Sequence, residues 1–520
     1  MKKFLLLILI VFGLCFNSSA EINWNKFEFF KNTGGWNNVF STTAIADNES
    51  PDLQNVTLTT YGSFRTRDGY DNINTSSLGA SVIATGLTYY TPSSGSEFLV
   101  GIFDDDKIYK MDYSGGPDGT WDDITGALSF AVDQNNLASF AVGEDTLIVE
   151  DGLNTTAPYT WTGSGNATAL GGSPPNATMV AYHKRMAFAA GNNSNPSTLY
   201  FSDVGNIADW TTGLSGNISV ETNDGTSITA IRPGFDALYI FKGGGSRGST
   251  WRLTGDDKDT FVLQRMIPDI GTLSINGACS IGNEFIFQAQ NGEIYIYDGA
   301  IGLRIISTKI EPGYNFTRLA SFSCTIFDSD FYLSYSTSSS STNDRVLFYD
   351  TFNESFVPFN GMNANAISTA NGSTGEEFMM FGDYLGFSYN YPEGTNDNGT
   401  AINAYYVTKQ FNFPELNPLK DFKLLRVFSN QEGNYNLNVE MRHDFGSSGS
   451  TENISLLGET SNYGTAVYGT DLYGGQNIII GRIEPNLSGD FFQLRFSNST
   501  LDQPFETRGF QMFLEETDRI

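Results

Sequence analysis

Histidine, cysteine and charged residues are scarce in this sequence. Its 520 residues include two histidines, three cysteines and only 17% charged residues. A nucleophilic triad that relies on histidine has only His183 and His443 to use, and these lie in different predicted domains. A zinc site needs three or four suitably spaced ligands, and the histidines and cysteines show no such spacing. The composition therefore favours neither a hydrolytic triad nor a zinc site, and we expect no enzyme activity.

Positive charge is also in short supply. The chain has 29 Lys and Arg against 58 Asp and Glu, which gives a net charge of -29 and a pI of about 4.3. Such a surface repels the phosphates of nucleic acids and of anionic membranes. Broad DNA or RNA binding is therefore not expected.

Long apolar runs are absent except at the N-terminus, which reads "MKKFLLLILIVFGLCFNSSA". Lys2 and Lys3 precede an apolar segment from Phe4 to Phe16, and small residues end at Ala20. This order predicts a signal peptide at residues 1–20, with an uncleaved hydrophobic N-terminal arm as the alternative. We expect the mature chain to be soluble, with no membrane segment.

Glycine and aromatic residues are abundant, and short aromatic segments recur. The chain has 55 glycines and 14% aromatic residues, which favours short strands joined by turns. The segments return about every 40 to 55 residues, the spacing of propeller blades; they are "KIYKMD" (107–112), "PYTWTG" (158–163), "TLYFSD" (198–203), "STWRLTG" (249–255), "EIYIYDG" (293–299) and "VLFYD" (346–350). The sequence predicts an all-β fold with an N-terminal extension at residues 21–51 and a β-propeller of six or seven blades at residues 52–408.

The pattern changes after residue 410. Longer alternating segments such as "FKLLRVFS", "YNLNVEMRH" and "FFQLRFS" follow without the blade spacing. Such segments are typical of a two-sheet structure. We predict a separate C-terminal β-sandwich at residues 411–520.

Two cysteines remain after removal of residues 1–20. Cys279 and Cys324 each precede an apolar strand-like run in neighbouring repeats. A disulfide is one interpretation in an oxidising compartment, and two buried free thiols are the slightly favoured one.

Acidic runs raise the question of calcium, and one glycine-rich run raises that of a nucleotide. The runs "FDDDK" (103–107), "WDDIT" (121–125) and "GDDKD" (255–259) supply oxygen ligands but lack a calcium-loop pattern, so solvated turns are favoured over structural calcium. The run "GGGSRGS" (243–249) matches G-x-G-x-x-G, but a strand-like segment follows it instead of a helix. It predicts a hairpin loop, and we expect no cofactor.

The run from Gly34 to Tyr70, which includes "IADNES", "DLQNV" and "FRTRDGY", resembles the N-terminal signature of a known family. The members of this family are the β-propeller proteins of the tail nozzle or packaged-DNA stabilisation type in short-tailed bacteriophages. Residues 199–213, 227–257 and 270–299, and the segment after residue 416, are similar to later parts of that family. The matching positions at the N-terminus are Ile45, Asp47, Asn48, Glu49, Leu53, Asn55, Val56, Gly62, Arg65, Arg67 and Gly69.

The resemblance implies a non-enzymatic structural protein of the virion tail. It implies a homo-oligomeric ring below the portal and adaptor, with DNA only passing through the channel. Arg65 and Arg67 lie two apart in the predicted strand, so both are expected on one face. They either pair with nearby acids at the surface or serve as an assembly interface.

Two alternatives follow from the residues alone. A cleaved signal peptide would make the chain a secreted or periplasmic propeller that binds a glycan or a protein. A glycan-active enzyme would need two close carboxyl groups at the propeller axis.

Overall fold

The computed structural model describes residues 24–299, 302–372, 375–413, 419–457 and 478–517. Within these ranges the chain is built almost entirely of β-strands, with one short 3-10 helix at Phe316–Ser321. The predicted signal peptide at residues 1–20 lies outside the described residues. None of the described helical structure is long and apolar enough to cross a membrane.

The first described residues form seven short strands that are distributed among several sheets. β2 and β3 pair in parallel, β5 pairs with β6, and the remaining strands join strands that come much later in the chain. Their bounds are β1 (Asn25–Phe29), β2 (Gly35–Trp36), β3 (Glu49–Ser50), β4 (Asp52–Gln54), β5 (Val56–Leu58), β6 (Phe64–Thr66) and β7 (Asp71–Asn72).

Seven four-stranded antiparallel sheets follow, and six of them each come from a consecutive stretch of the chain. The first two sheets contain β8 (Ala84–Tyr90), β9 (Phe98–Phe103), β10 (Lys107–Asp112) and β11 (Asp122–Asp123), then β12 (Ser139–Gly143), β13 (Thr146–Glu150), β14 (Tyr159–Trp161) and β15 (Thr168–Ala169). The third and fourth contain β16 (Met179–His183), β17 (Met186–Ala190), β18 (Thr198–Phe201) and β19 (Gly216–Ser219), then β20 (Ser227–Gly234), β21 (Ala237–Gly244), β22 (Arg247–Thr254) and β23 (Val262–Pro268).

Three further sheets complete the series. The fifth and sixth contain β24 (Ala278–Ile281), β25 (Glu284–Gln288), β26 (Ile294–Tyr297) and β27 (Leu303–Ile305), then β28 (Ser323–Phe327), β29 (Asp330–Tyr335), β30 (Arg345–Asp350) and β31 (Ser355–Asn360). The seventh contains β32 (Ala366–Asn371), β33 (Glu377–Gly382) and β34 (Ser388–Tyr391), and its outermost strand is the early strand β7.

The seven sheets close into a ring. The first strand of each sheet contacts the first strand of the next, and β32 of the seventh contacts β8 of the first. This is the arrangement of blades in a β-propeller, so the expected all-β fold with propeller blades is confirmed. The middle strands are buried on both sides, as in β9, where all six residues are buried. Each sheet buries its faces against its two neighbours, which is why these strands are continuously apolar.

Two larger sheets form a second unit. The last strands are β35 (Ala404–Val407), β36 (Leu419–Asn430), β37 (Asn436–His443), β38 (Ser450–Ser455), β39 (Ile478–Ile483), β40 (Leu487–Gly489), β41 (Phe492–Asn498) and β42 (Glu506–Thr517). One sheet has the order β39-β36-β42-β6-β5, with β1 on β42 and β40 on β36, and the other has the order β38-β37-β41-β35-β4. Apolar side chains of both sheets, such as Leu425, Val439 and Leu494, share one core.

The boundary between the units differs from the predicted one. The predicted propeller begins at residue 52, but β4, β5 and β6 pair with strands of the two-sheet unit instead. The alternation of a short strand shows which face is buried but not which sheet the strand joins. Residues 52–66 therefore gave no indication of their partners some 350 to 440 positions later.

Candidate functional site

A cavity of about 450 Å³ lies on the axis of the ring, between the first strands of all seven sheets. These strands form the inner edges of their sheets, so backbone groups line the cavity together with side chains. The volume is in the range of small-molecule sites. Each sheet contributes at least one lining residue, among them Thr88, Phe140, Tyr182, Arg232, Ser280, Thr325 and Ser368.

One end of the axis is closed by the loop that precedes β12. The carbonyl oxygen of Ala138 accepts a hydrogen bond from Asn276 Nδ2 at 3.2 Å, on the far side of the ring. The carbonyl oxygen of Gln134 accepts one from Asn365 Nδ2 at 3.3 Å, and Asn135 Oδ1 accepts one from a guanidinium nitrogen of Arg318 at 2.6 Å. The loop thus joins the second sheet to the fifth, sixth and seventh, and it gives the cavity a floor.

The wall of the cavity offers binding groups but no acid–base pair. The lining residues include apolar side chains such as Phe140 and Ile326, hydroxyl side chains such as Thr88, and the cation Arg232. None of them is Asp, Glu or His. The two close carboxyl groups required by a glycan-active enzyme are therefore not found on this wall.

His183 lies at the end of β16 next to the cavity. Burial and the neighbouring Lys184 lower the pKa of His183, so the ring is neutral at pH 7. Its Nε2 atom is buried and has no hydrogen-bond partner. The charges of Asp236 and Asp256 act on the pKa of His183 in the opposite direction, but neither of these acids lines the cavity.

Arg232 is fixed in the wall by neutral groups. Its Nε donates to the carbonyl oxygen of Ala278 at 3.0 Å, and its two terminal nitrogens donate to Ile231 O at 3.2 Å, Ile275 O at 2.7 Å and Asn276 Oδ1 at 2.8 Å. Asn276 is also the residue that bonds across the floor. The guanidinium therefore has one position, beside the floor of the cavity.

Cys279 and Cys324 form a disulfide in the same wall. Their Cα atoms are 6.4 Å apart, and the bond joins the first strands of the fifth and sixth sheets. The slightly favoured expectation of two free thiols is corrected by this pairing. Neighbouring inner strands bring the two side chains together, which a separation of 45 residues in sequence could not reveal.

Arg67, one of the two predicted interface residues, is buried inside the chain. Two guanidinium nitrogens donate to the carboxylate of Asp397 at 2.8 and 2.6 Å, and Nε donates to Asn55 Oδ1 at 3.1 Å. A further bond reaches the carbonyl oxygen of Asn360 at the end of β31. With a side chain that is 0% exposed, Arg67 ties the two units together and has no surface to offer a partner.

Arg65 lies at the surface, so the expectation that both arginines share one face is wrong. Its side chain is 45% exposed and pairs with Asp68 at 3.1 Å. Arg67 differs because β6 ends at Thr66 and the chain then turns inward. Arg65 lines a groove of about 440 Å³ between the two units, together with Asp328 and Asp330 of the sixth sheet.

The acidic runs at 103–107 and 255–259 form turns, whereas the run at 121–125 contains strand β11. Asp104 and Asp106 accept backbone N–H groups of Ile83 and Val132, and Asp122 pairs with Lys110 at 2.9 Å. No group of three or more His, Cys, Asp or Glu in the described part of the chain is arranged to hold a metal ion.

The glycine-rich run forms the predicted hairpin. β21 ends at Gly244 and β22 begins at Arg247. Gly243 and Gly248 lie opposite each other in this antiparallel pair.

Sequence reasoning missed Arg232 and the floor of the cavity. Arg232 stands in "SITAIRPGF", where a lone cation within an otherwise apolar and small-residue strand was the available indication. Asn276 carried no such indication, because its partner Ala138 lies in another sheet.

Comparison with known proteins gives no family. No family model matches this chain, and none of the curated proteins matches it.

Two solved structures are similar at low identity. One is PorZ, described as an essential bacterial surface component of the type-IX secretion system of Porphyromonas gingivalis, with 12% identity and a TM-score of 0.38 over 73% of this chain and 46% of PorZ. The other is BamB from Moraxella catarrhalis, with 12% identity and a TM-score of 0.36 over 65% of this chain and 92% of BamB. The matched part thus spans less than half of PorZ.

Proposed function

We propose that this protein is a non-enzymatic binding module that takes a small ligand into the axial cavity of its propeller. The observation that carries the proposal is the cavity itself, which is closed at its floor and lined by residues from all seven sheets. Ligand sites are commonly concave, largely apolar and equipped with a few fixed polar groups. The concave shape and the fixed guanidinium of Arg232 match that description, and Phe140, Val142 and Ile326 supply apolar surface.

We infer that the protein is secreted or periplasmic. The disulfide between Cys279 and Cys324 supports an oxidising compartment, where such bonds persist. The predicted signal peptide supports the same location. We also infer that the two-sheet unit, with its core between the sheets, is the predicted β-sandwich extended by N-terminal strands.

Saturation-transfer NMR with a panel of neutral, anionic and cationic small molecules tests this function. Ser368 lines the cavity, so Ser368→Trp should block it and abolish the signals of specific ligands. Ser448→Trp, which places the same bulk on an exposed loop of the other unit, should leave them unchanged. Ligands that bind both variants equally, or a panel without ligands, would contradict the proposal.

A tail component of a short-tailed bacteriophage is the second candidate. Residues that carry the sequence resemblance meet at the joint between the units, where Arg67 bonds to Asn55. Gly69 is also packed there, because a Cβ atom on it would lie 1.9 Å from the carbonyl oxygen of Asn396. A shared architecture would explain why these positions match. Arg65, which is exposed, remains the proposed interface residue for a ring.

Light scattering on the chain without residues 1–20 separates the two candidates. The binding module is expected to be a monomer of slightly less than the full 57.0 kDa. A stable ring, alone or on a portal–adaptor complex, would support the tail component and contradict the monomeric module.

A further inference from the structure

Arg232 differs from the buried cations Arg67 and Lys242 by having no counter-charge. Arg67 pairs with Asp397 at 2.6 Å, and Lys242 pairs with Asp224 at 2.8 Å. The hydrogen bonds of Arg232 all go to carbonyl or amide oxygens, which are neutral. No described Asp or Glu forms an ion pair with it. Its unit charge is therefore uncompensated by the protein.

The uncompensated charge of Arg232 lies in the wall of the axial cavity. Arg232 lines the axial cavity, and no acidic residue does. Partial burial lowers the pKa of Arg232 to about 10, so the group stays protonated at pH 7 although it has lost part of its hydration. A desolvated cation attracts an anion more strongly than a hydrated one does, because the surrounding dielectric is lower.

The guanidinium is also prepared for a ligand. A guanidinium has five N–H donors, and four of those of Arg232 are used by the oxygens that hold it. One donor on a terminal nitrogen is left. Because the side chain is already fixed, an incoming acceptor does not need to order it.

Apolar side chains cover part of the rest of the wall. Phe140, Val142 and Ile326 line the cavity and keep exposed surface. They suit an aliphatic or aromatic body, whose transfer from water is favourable. The cavity thus combines one cation with a few apolar side chains.

We infer that the axial cavity selects a small molecule that has one anionic group on an apolar or aromatic body. The anionic group, a carboxylate, sulfonate or phosphate, accepts from Arg232, and the body packs against Phe140, Val142 and Ile326. This inference rests on the proposed binding function and names the ligand class. It also gives the cavity a preference opposite to that of the surface, whose net charge of -29 repels anions.

A matched pair of fluorescent probes tests the inference. Anilinonaphthalene sulfonate and phenylnaphthylamine share one aromatic framework, and only the first has an anionic group. Titrations at about 0.15 M salt screen surface charges beyond about 8 Å. The wild type should bind the sulfonate about 10-fold more tightly than the neutral probe, which corresponds to about 1.4 kcal/mol. Arg232→Gln should remove this preference and leave the neutral probe unchanged.

A second variant protects the test against misfolding. Arg232 also bonds to structural carbonyls, so Arg232→Gln could fail to fold. Ser280 is exposed and lines the cavity two residues from Ala278. Ser280→Asp should weaken binding of the sulfonate about 10-fold more than binding of the neutral probe. Ser448→Asp, which places the same charge on the exposed loop of the other unit, should affect neither probe.

The outcomes separate this inference from the proposed function. If Ser368→Trp abolishes both probes but Arg232→Gln and Ser280→Asp leave the sulfonate unaffected, the anion preference is overturned and the binding function stands. If Ser368→Trp leaves the binding of both probes intact, they do not use the axial cavity, and the proposed function itself is overturned.

Discussion

The ring and the two-sheet unit are assembled from the chain in different ways. Six of the seven sheets of the ring come from consecutive stretches between residues 84 and 360. The two-sheet unit combines strands from residues 25–66 with strands from residues 404–517. Each of these sheets of the ring therefore forms from neighbouring residues, whereas the second unit depends on contacts between the two ends of the described chain.

The two architectures meet where the chain crosses between them. β6 belongs to the two-sheet unit and β7 to the seventh sheet, and Arg67 lies between them. Its partner Asp397 lies on the return path, shortly before β35. The buried ion pair therefore holds the outgoing and returning segments together at one point.

Removal of the Arg67–Asp397 ion pair should lower the free energy of unfolding more than any other change proposed below. Arg67→Met leaves the carboxylate of Asp397 buried without a partner, which should lower the free energy of unfolding by about 3–5 kcal/mol. Arg65→Met is the matched control, because the Arg65–Asp68 pair is exposed and should contribute about 0.5 kcal/mol or less. Urea unfolding followed by fluorescence measures both. Equal effects of the two substitutions would contradict the joint.

Removal of the disulfide should rank second and should affect the ring alone. The bond closes a loop with a sequence separation of 45, so replacing Cys279 and Cys324 with alanine should cost about 2–4 kcal/mol. Hydrogen exchange should locate the loss in the fifth and sixth sheets. Free thiols can be counted in the denatured protein that lacks residues 1–20, without a reducing agent. A count of two reactive thiols per chain would contradict the disulfide and support two free cysteines.

Weakening the closure of the ring near β7 should lower the free energy of unfolding by a smaller amount. Asn74 is buried; its Oδ1 accepts from the N–H of Ser388 at 2.7 Å, and its Nδ2 donates to the carbonyl oxygen of Gly386 at 3.0 Å. Asn74→Ala should cost about 1–3 kcal/mol, because the N–H of Ser388 loses its side-chain acceptor.

Hydrogen exchange in the seventh sheet tests whether Asn74 stabilises this closure. Amides of β34 should exchange faster in Asn74→Ala than in the wild type, while those of the third sheet should not change. Asn193→Ala, in an exposed loop of the third sheet, serves as the control. Unchanged protection of β34 would show that Asn74 does not hold the closure.

Ionisation of Asp330 should have the smallest effect on the free energy of unfolding, and this effect depends on pH. Burial, together with the charges of Asp350 and Asp328, raises the pKa of Asp330 to about 6. The folded state therefore holds this proton more tightly than the unfolded state, so stability is lost as the pH rises from about 4 through 6. Because the site is partly exposed, the loss should be about 1 kcal/mol at pH 7.

The variant Asp330→Asn isolates this effect. It cannot ionise, and its side-chain oxygen can still accept from the N–H of Thr351. Its stability relative to the wild type should improve between pH 4 and pH 7. An identical difference at both pH values, measured by urea unfolding, would contradict the raised pKa.

Sequence patterns predicted the local part of this molecule well. The six recurring aromatic segments coincide with β10, β14, β18, β22, β26 and β30, the third strands of the first six sheets. The third strand of the seventh sheet, β34, reads "SYNY" and did not stand out from the sequence. Its outer partner β7 has two residues and lies over 300 positions earlier, so the closure of the ring could not be predicted.

The site was less predictable for the same physical reason. Arg67 was expected at the surface, but its environment is set by Asp397, 330 positions away. The role of Arg232 depends on carbonyl groups of the next sheet. Alternation gives the burial of a strand's two faces, whereas the contacts of an individual cation require the tertiary arrangement.

A crystal structure of the chain soaked with phenylnaphthylamine tests the central claim most directly, since binding of this neutral probe should not require Arg232. The account predicts electron density for the probe inside the axial cavity, above the floor formed by Asn276 and Ala138. Density for the probe only in the groove beside Arg65, or only on the outer faces of the sheets, with an axial cavity that holds water alone, would contradict it.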